Sequence, residues 1–544
     1  MSSTLATDVT LDAVFFAQNH VLQPGAPYFK LVGNKNTLIK AHLLSQNEIE
    51  SPKVEAILSL DGASYRLELK GPNSLPKEIC IAPGKVVHRF EDSFTATIPG
   101  EWVKRGLQVV IKAGDLEEKV ENIEIGPPLK MNMTMFDIHY FDYEDVDFPD
   151  GFDEEIFVRR PLTELNIQRL KRVLFSELII PPRENLPCVR VRNEDEHMSK
   201  TGQPFNGKQL AAQQWYAALQ NAGGQKKLNA YFISIANVHS GGWAWDYAGM
   251  GSLRRFPILN HEMGHVLGVD DLPCEAGYPY IGEMYGIDKG KGGFHGGPTW
   301  RFDPRTGFVS PTLSDKTDTP GEWKKDPMGG GGRGEEPGED IAPFSDYSIR
   351  KMQDYMERNI VQWNEEKEEY CLWNHWTGSF SNVVRSNGVN FPIKNNVEVY
   401  SILFSVSAVT EEGNFIYPII GPYKSGLVDT FDPNTEDDRK RARRVGVGPW
   451  DISLQIEQGG KTKTFMVPLA WNPRGNPLDL DTFLTHAVNV PVSDGIISKA
   501  RILLTPDATV EGIPSKPRAL FSVENPTVEP SNPTGIFHYQ QKAH

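Results

Sequence analysis

The stretch HEMGHVLGVDD, residues 261–271, constrains the fold more than any other part of the sequence. Its two histidines, His261 and His265, are four residues apart, so on a helix they lie on one face about one turn apart. Gly268 follows, and glycine readily takes the positive φ that turns a chain out of a helix. The segment RRFPILNHEMGHVLGVDD therefore predicts a helix that ends near Gly268, with Asp271 just beyond the turn.

These residue types at this spacing are typical of a metal site. Two neutral imidazoles on successive turns can reach one Zn²⁺ at about 2.0–2.1 Å, and a carboxylate oxygen is a suitable third ligand. Glu262 stands beside the metal, where it can take a proton from zinc-bound water. We predict His261, His265 and Asp271 as zinc ligands and Glu262 as the catalytic base. Asp270 is the alternative third ligand, and a buried helix with two structural histidines is the alternative to a metal site.

Several residues outside this motif are candidates for supporting roles. Metzincin zinc peptidases carry a methionine in a tight turn beneath the metal, and Met328 in DPMGGGG is the predicted turn residue, with Met284 as a weaker alternative. Glycines and tryptophans in HSGGWAWDYAGMGS, residues 239–252, could line a substrate cleft or pack on the core. His239 and His295 are candidate extra ligands, with a structural role as the alternative. Tyr278, Tyr280 and Tyr285 are candidate donors to an oxyanion by sequence proximity alone.

Alternating apolar runs and turn residues predict three domains in an α+β chain. Residues 1–127 read as a β-sandwich-like domain that ends at a Gly-Pro-Pro sequence. Residues 128–385 mix helices with strands and contain the metal motif. Residues 386–544 read as a second β-domain, with the last dozen residues as a tail.

Within the middle domain, individual elements follow from local patterns. LTELNIQRLKRVLFSELII (162–180) and GKQLAAQQWYAALQNAGG (207–224) predict helices, and AYFISIAN (230–237) predicts a buried strand. FSDYSIRKMQDYMERNIVQW (344–363) predicts a helix with Ser345 as its N-cap. Many glycines and prolines between 285 and 340 predict a long irregular segment.

Composition narrows the classes of partner. The formal net charge of −15 disfavours nucleic acid, because an acidic surface repels phosphate backbones. Four scattered cysteines form no CxxC pair and leave the disulfide state open. No signal peptide is visible at the N-terminus, and no apolar run is long enough for a transmembrane helix.

The sequence resembles the StcE/TagA-type (dictomallein) zinc metallopeptidases. The resemblance is carried by HEMGHVLG, by DPMGGGG followed by APFSDYS, and by SFTATIPGEWVKRGLQVVI, TWRFDPRTGFVSP and YPIIGPY. It implies a metzincin-like catalytic domain, secretion, and cleavage of heavily O-glycosylated, mucin-like proteins. It also implies His261, His265 and Asp271 as ligands, Glu262 as base and Met328 in the turn.

The sequence departs from this family at three places. The family has histidine where this chain has Asp271, and an aromatic residue where this chain has Leu272. The family's upstream Trp-His pair has at best a partial match in His197.

From the metal motif and the resemblance together, we predict a zinc-dependent endopeptidase acting on protein substrates, with glycoproteins as a candidate class. The alternative is a non-catalytic glycan- or protein-binding module with a structural or vestigial zinc site. The oligomeric state stays open.

Overall fold

The computed structural model describes most of the chain. The described residues are 8–79, 88–144, 146, 151–183, 185–207, 218–224, 228–236, 241–272, 274, 276–282, 295–310, 324–330, 342–364, 366–374, 376–382, 391–445, 450–468, 474–529 and 536–540. Strands predominate over helices in these segments, as expected for a β-rich α+β chain. No helix within them combines the length and the apolar character that crossing a bilayer requires.

The N-terminal part of the chain forms two four-stranded sheets, ordered β2-β1-β3-β6 and β5-β4-β7-β8. Both sheets contribute alternate apolar side chains to one buried cluster, which is why these segments alternate in sequence. Their strands are β1 (Thr10–Ala17), β2 (Val21–Leu22), β3 (Thr37–Leu44), β4 (Val54–Leu60), β5 (Ala63–Leu69), β6 (Phe94–Ile98), β7 (Gln108–Ala113) and β8 (Leu116–Val120).

The middle of the chain is built on a six-stranded central sheet, ordered β14-β15-β13-β9-β10-β30, in which β30 is Ile536–Gln540. Strands β9, β10, β13 and β15 run parallel to their neighbours in this set, and β14 and β30 pair antiparallel at the two edges. The strands of the middle part are β9 (Lys130–Tyr140), β10 (Glu164–Phe175), β11 (Leu178–Ile180), β12 (Val189–Val191), β13 (Ala230–Ile235), β14 (Gly242–Trp245), β15 (Ala248–Ser252), β16 (Arg301–Asp303), β17 (Phe308–Ser310), β18 (Val361–Asn364), β19 (Glu369–Asn374) and β20 (Ser379–Asn382).

The C-terminal part again forms two sheets that share a core. One has the order β22-β21-β23-β29, with β26 also on β21, and the other has the order β25-β24-β27-β28. The strands are β21 (Lys394–Ser407), β22 (Phe415–Ile416), β23 (Ile419–Val428), β24 (Ile452–Gln458), β25 (Lys461–Met466), β26 (Phe483–Pro491), β27 (Ile497–Leu504), β28 (Arg518–Glu524), β29 (Val528–Glu529) and β30 (Ile536–Gln540).

Two helices matter most for the site. We call Phe256–Val266 the motif helix and Asp346–Arg358 the anchor helix. The Ser345 hydroxyl accepts from the Ser348 N–H, so the predicted N-cap is confirmed. Other helices are Phe152–Val158, Glu194–Thr201, Glu436–Val445 and Ala508–Glu511, and 3₁₀ turns occur at Gly100–Trp102, Pro327–Gly329, Glu411–Gly413, Leu480–Thr482 and Val492–Asp494.

The central sheet is buried on both faces, which fixes the position of the motif helix. On β9, Met131, Met133 and Met135 join the cluster that contains the motif helix. The alternate residues, from Phe136 to Tyr140, join a second cluster that includes side chains of the C-terminal sheets. The predicted buried strand at 230–237 is confirmed as β13, every residue of which is buried.

The helix predicted over 162–180 is wrong, because most of this segment forms strand β10. A register shift against β9 falls between Leu170 and Val173, where Arg172 has a φ of 61°. Alternation places Leu165 and Ile167 in one core and Leu170 in the other. Because of the shift, Val173, an odd-numbered residue like Leu165, enters the same core as Leu170. An apolar pattern with a change of parity looks helical in sequence although each half alternates.

The C-terminal tail is also a wrong prediction. Residues 536–540 form β30, which pairs with Glu164–Gln168 along the edge of the central sheet. The segment 285–340 is predicted to be irregular, and its described residues include a short hairpin, β16–β17, and the 3₁₀ turn Pro327–Gly329. In the helix predicted at 207–224, residue 207 and residues 218–221 are helical, and residues 208–217 lie outside the described residues.

The structure settles the disulfide state for some of the cysteines. Neither the buried Cys188 nor the exposed Cys274 forms one. Cys80 lies outside the described residues. The boundaries of the three domains stay a prediction.

Candidate metal centre

The motif helix presents its histidines beside one edge of the central sheet. Pro257 lies in its first turn, where a missing backbone N–H costs nothing, and the helix packs along β14 and β15. It ends as predicted, because Gly268 takes a φ of 80°. The N–H of Val269 then donates to the carbonyl of Gly264 at 3.0 Å, which closes the end of the helix and turns the chain back.

Backbone carbonyls fix the tautomers of both histidines. Nδ1 of His261 lies 2.9 Å from the Pro327 carbonyl oxygen, and Nδ1 of His265 lies 2.8 Å from that of Val269. Since a carbonyl oxygen only accepts, Nδ1 is the protonated nitrogen in each ring. In the neutral ring each Nε2 therefore keeps its lone pair, and metal-ligating histidines are oriented in this way.

Asp271 brings an oxygen to the two free nitrogens. Its Oδ1 lies 3.2 Å from Nε2 of His261 and 3.7 Å from Nε2 of His265. The three donor atoms all lie within 4.8 Å of one another. Bonds of about 2.0–2.2 Å to one tetrahedral ion place ligand atoms roughly 3–4 Å apart, so these residues fit a divalent metal. Asp270 is not a member of this group.

The electrostatics of the cluster favour a neutral His265 ring. Burial lowers the pKa of His265, and the adjacent His261 ring lowers it further. A neutral ring is the form that binds a metal, because a proton on Nε2 would occupy the coordinating lone pair.

Glu262 is held close to the edge strand. Its side chain is buried, with an exposed fraction of 4%. A Cβ added at Gly242, the first residue of β14, would overlap the Glu262 carboxylate and its Cγ. Glycine is therefore required at this position if the carboxylate is to stay where it is.

Met328 lies in the turn Pro327–Gly329, which we call the methionine turn. It is 2% exposed, and a Cβ added at Gly264 of the motif helix would overlap its sulfur. Its carbonyl accepts from the N–H of Leu272 at 3.2 Å. The turn therefore contacts both the helix that carries the histidines and the backbone next to Asp271.

The tyrosines proposed as oxyanion donors have other partners. The Tyr278 hydroxyl donates to the carbonyl of His295, and the Tyr280 hydroxyl donates to Oδ1 of Asp346 at 2.7 Å. Both side chains are buried in the core, so the structure contradicts this role for them. His295 is fully buried, with its ring against the Gly282 carbonyl, and is not part of the metal cluster.

The remaining candidates fall into two groups. His197 is buried, and its Nδ1 lies 3.0 Å from the Gln203 carbonyl oxygen with the ring against Phe205, a structural arrangement. His239, Met284 and Tyr285 lie outside the described residues.

Sequence reasoning missed the groups that support the site. The carbonyls of Pro327 and Val269 leave no signature in side-chain chemistry. Gly242 could have been suspected from the Gly-Gly-Trp sequence, and the aspartate of DPMGGGG, Asp326, from its place beside the predicted turn. The Asp326 carboxylate accepts from the N–H of Met328 at 2.8 Å.

The chain is similar to known proteins over most of its length. Dictomallein of Burkholderia mallei (strain SAVP1) is 25% identical over an alignment of 604 residues that covers 95% of this chain and 84% of that protein. Dictomallein of Burkholderia pseudomallei (strain K96243) gives the same values. Dictomallein-2 of Dictyostelium discoideum is 23% identical over 592 residues, covering 94% of this chain and 95% of that protein. A family model for Peptidase M66 matches residues 87–361, which is just over half of the chain. The chain belongs to the peptidase M66 family.

Proposed function

We propose that the protein is a zinc-dependent endopeptidase in which His261, His265 and Asp271 hold the ion and Glu262 is the base. The observation that carries this proposal is the convergence of two Nε2 atoms and one carboxylate oxygen, with both Nδ1 atoms engaged by carbonyls. A structural site normally uses four protein ligands, whereas a catalytic site has three and leaves one position open.

The donor set and the family together favour zinc. Two imidazoles and a carboxylate also suit Fe²⁺, so the ligands alone do not select one metal. Membership of a peptidase family and the acid directly after the first histidine favour zinc, because a Lewis acid without redox chemistry and a neighbouring base suit hydrolysis of a peptide bond. When bound, such an ion polarises the scissile carbonyl and acidifies the attacking water.

The side chains of this chain supply the proton transfers. The Glu262 carboxylate takes the proton of the attacking water and hands it to the leaving amine. Burial beneath β14 keeps this carboxylate in one orientation. Within the described segments β14 is the edge of the central sheet, so an extended peptide could pair with it. Trp243, half exposed on β14, would then lie beside the substrate.

The fold and substrate proposals follow from the resemblance stated for the sequence. We propose a metzincin-like catalytic domain at 128–385, with Met328 as its turn residue, flanked by β-sandwich-like domains at 1–127 and 386–544. Two sheets sharing one core at each end of the chain support the flanking domains. Secretion and O-glycosylated, mucin-like protein substrates are proposed on the same basis, and comparing cleavage of a glycoprotein before and after enzymatic deglycosylation tests the substrate class.

Replacement of Glu262 by glutamine tests the mechanism. Glutamine keeps the shape but cannot accept a proton, so Glu262→Gln should retain the metal and lose activity by about 10²–10⁴-fold. The measurement is casein or glycoprotein cleavage, with metal content determined on the same samples. Unchanged turnover in the metal-loaded variant would refute the base assignment. Absence of any chelator-sensitive cleavage by the wild-type protein would favour a binding module instead.

A further inference from the structure

Asp326 is a buried acid at the start of the methionine turn. Its side chain has no exposed surface. Oδ1 accepts from the backbone N–H of Met328 at 2.8 Å. Oδ2 accepts from the N–H of Ser345 at 2.7 Å and from the hydroxyl of Ser348 at 2.8 Å. One carboxylate thus joins the methionine turn to the first turn of the anchor helix.

The carbonyls of the methionine turn face the metal cluster. That of Pro327 accepts from Nδ1 of His261 at 2.9 Å. That of Met328 accepts from the N–H of Leu272 at 3.2 Å, directly after Asp271. Two consecutive carbonyls of the methionine turn are therefore in contact with the metal site. One accepts from the imidazole of His261, and the other accepts from the backbone N–H that follows Asp271.

We propose that Asp326 is a positioning residue for the metal centre. It fixes the methionine turn against the anchor helix, and the methionine turn then orients His261 and Asp271. This role rests on the proposed function, since it assumes that these residues bind the metal.

Chemistry explains why a carboxylate suits this position. All three of its partners are donors, and an ionised carboxylate is acceptor-only, so every lone pair that is used meets a hydrogen. The positive end of the anchor helix further stabilises negative charge there. In Asp326→Asn, the amide NH₂ would face either the Met328 N–H or the donors of Ser345 and Ser348, and one of these links would be lost.

The competing explanation is that Asp326 only stabilises the end of the anchor helix. The helix offers a matched control, because the Ser345 hydroxyl is its N-cap and accepts from the Ser348 N–H. Ser345→Ala removes this cap but leaves the backbone N–H of residue 345 free to donate to Asp326. A purely structural role predicts that the two variants behave alike.

The experiment measures zinc affinity by competition with a chromogenic chelator, and urea unfolding of the metal-free proteins. Asp326→Asn should weaken zinc binding by about 10–100-fold, the usual effect of losing a partner behind the ligands. It should also shift the visible absorption bands of the Co²⁺-substituted protein. Ser345→Ala should lower the urea midpoint and leave the zinc Kd and the Co²⁺ spectrum unchanged.

Each outcome decides the matter. Wild-type zinc affinity in Asp326→Asn, or equal weakening in Ser345→Ala, overturns the positioning role while the proposed function stands. A wild-type protein that binds no zinc contradicts the proposed function itself. If Asp326→Asn does not fold, Ser348→Ala serves in its place, because it removes one of the three bonds to the carboxylate. A zinc Kd in Ser348→Ala equal to that of the wild type then overturns the proposal.

Discussion

The geometry around Glu262 can be tested most directly by a substitution in β14, the strand that packs against its side chain. A Cβ at Gly242 would overlap the Glu262 carboxylate, so Gly242→Ala should displace that group without touching a ligand. We expect retention of the metal and a loss of at least about tenfold in kcat/KM, since small misplacements of a catalytic group cost this much or more.

The opposite residue of the hairpin provides the control for this prediction. Gly251 pairs with Gly242 across β14 and β15, and the atoms nearest to a Cβ there would belong to Ile258 and Phe232, at 3.4 Å or more. Gly251→Ala should therefore keep near-wild-type kinetics. Equal activity in the two alanine variants would show that Glu262 is not confined by β14.

At this scale, the sequence predicted the side chains that converge and missed what orients them. His261, Glu262, His265 and Asp271 fall within eleven consecutive residues, so helix geometry and one glycine turn suffice to bring them together. The carbonyl partners of the two imidazoles depend on tertiary packing and carry no side-chain signal. The tyrosines were misjudged for the same reason, because proximity in sequence does not determine where a hydroxyl points.

Among the elements, the end of the motif helix is the most sensitive. Gly268 combines a φ of 80° with a Cβ position that would overlap the Tyr355 ring. Gly268→Ala should cost about 1–2 kcal/mol for the left-handed backbone alone. It should also weaken metal binding, because Val269 and Asp271 follow directly. Urea unfolding and a zinc titration measure the two effects.

A glycine in another turn provides a control that separates the effect of backbone strain on stability from the effect of a displaced Asp271 on zinc binding. Gly307, between β16 and β17, has a φ of 70° and open space where its Cβ would be. Gly307→Ala should lower stability through the same backbone strain and leave zinc affinity unaltered. If Gly268→Ala also binds zinc normally, the turn after the motif helix does not determine the position of Asp271.

Element types were predictable where the pattern was regular. The motif helix, the anchor helix and β13 follow from periodicity, capping and length. Strand β10 was misjudged because its register shift moves the apolar residues from one face to the other. Strand β30 carries too few residues to signal a strand, and only its pairing with β10 identifies it.

For the whole molecule, a buried histidine at the contact between the N-terminal sheets and the middle of the chain makes the stability of the fold depend on pH. His20 lies beside Arg301, with which it forms an isolated β-bridge. Burial and the charges of Arg301 and Arg159 lower its pKa to about 3, against an opposing hydrogen bond to the Phe344 backbone. The folded ring therefore stays neutral at a pH where the unfolded ring binds a proton.

The sign of the effect follows from that difference. Below about pH 6.5 the unfolded chain takes up a proton that the folded chain does not, so stability falls as the pH decreases toward 3. Between pH 6.5 and 4.5, His20 should account for about 2 kcal/mol of this loss. His20→Gln should reduce it by that amount in urea titrations at the two pH values. An identical pH dependence in the variant and the wild type would rule out this contribution.

The central claim is that one divalent ion binds the chain through the two Nε2 atoms and the Asp271 carboxylate. Elemental analysis of protein equilibrated with zinc and then dialysed measures this most directly, with His265→Ala prepared in parallel. We predict about one zinc per wild-type chain and a large reduction in the variant, since three ligands are the minimum for such a site. A wild-type protein without stoichiometric metal, or a variant that retains it, would contradict the account.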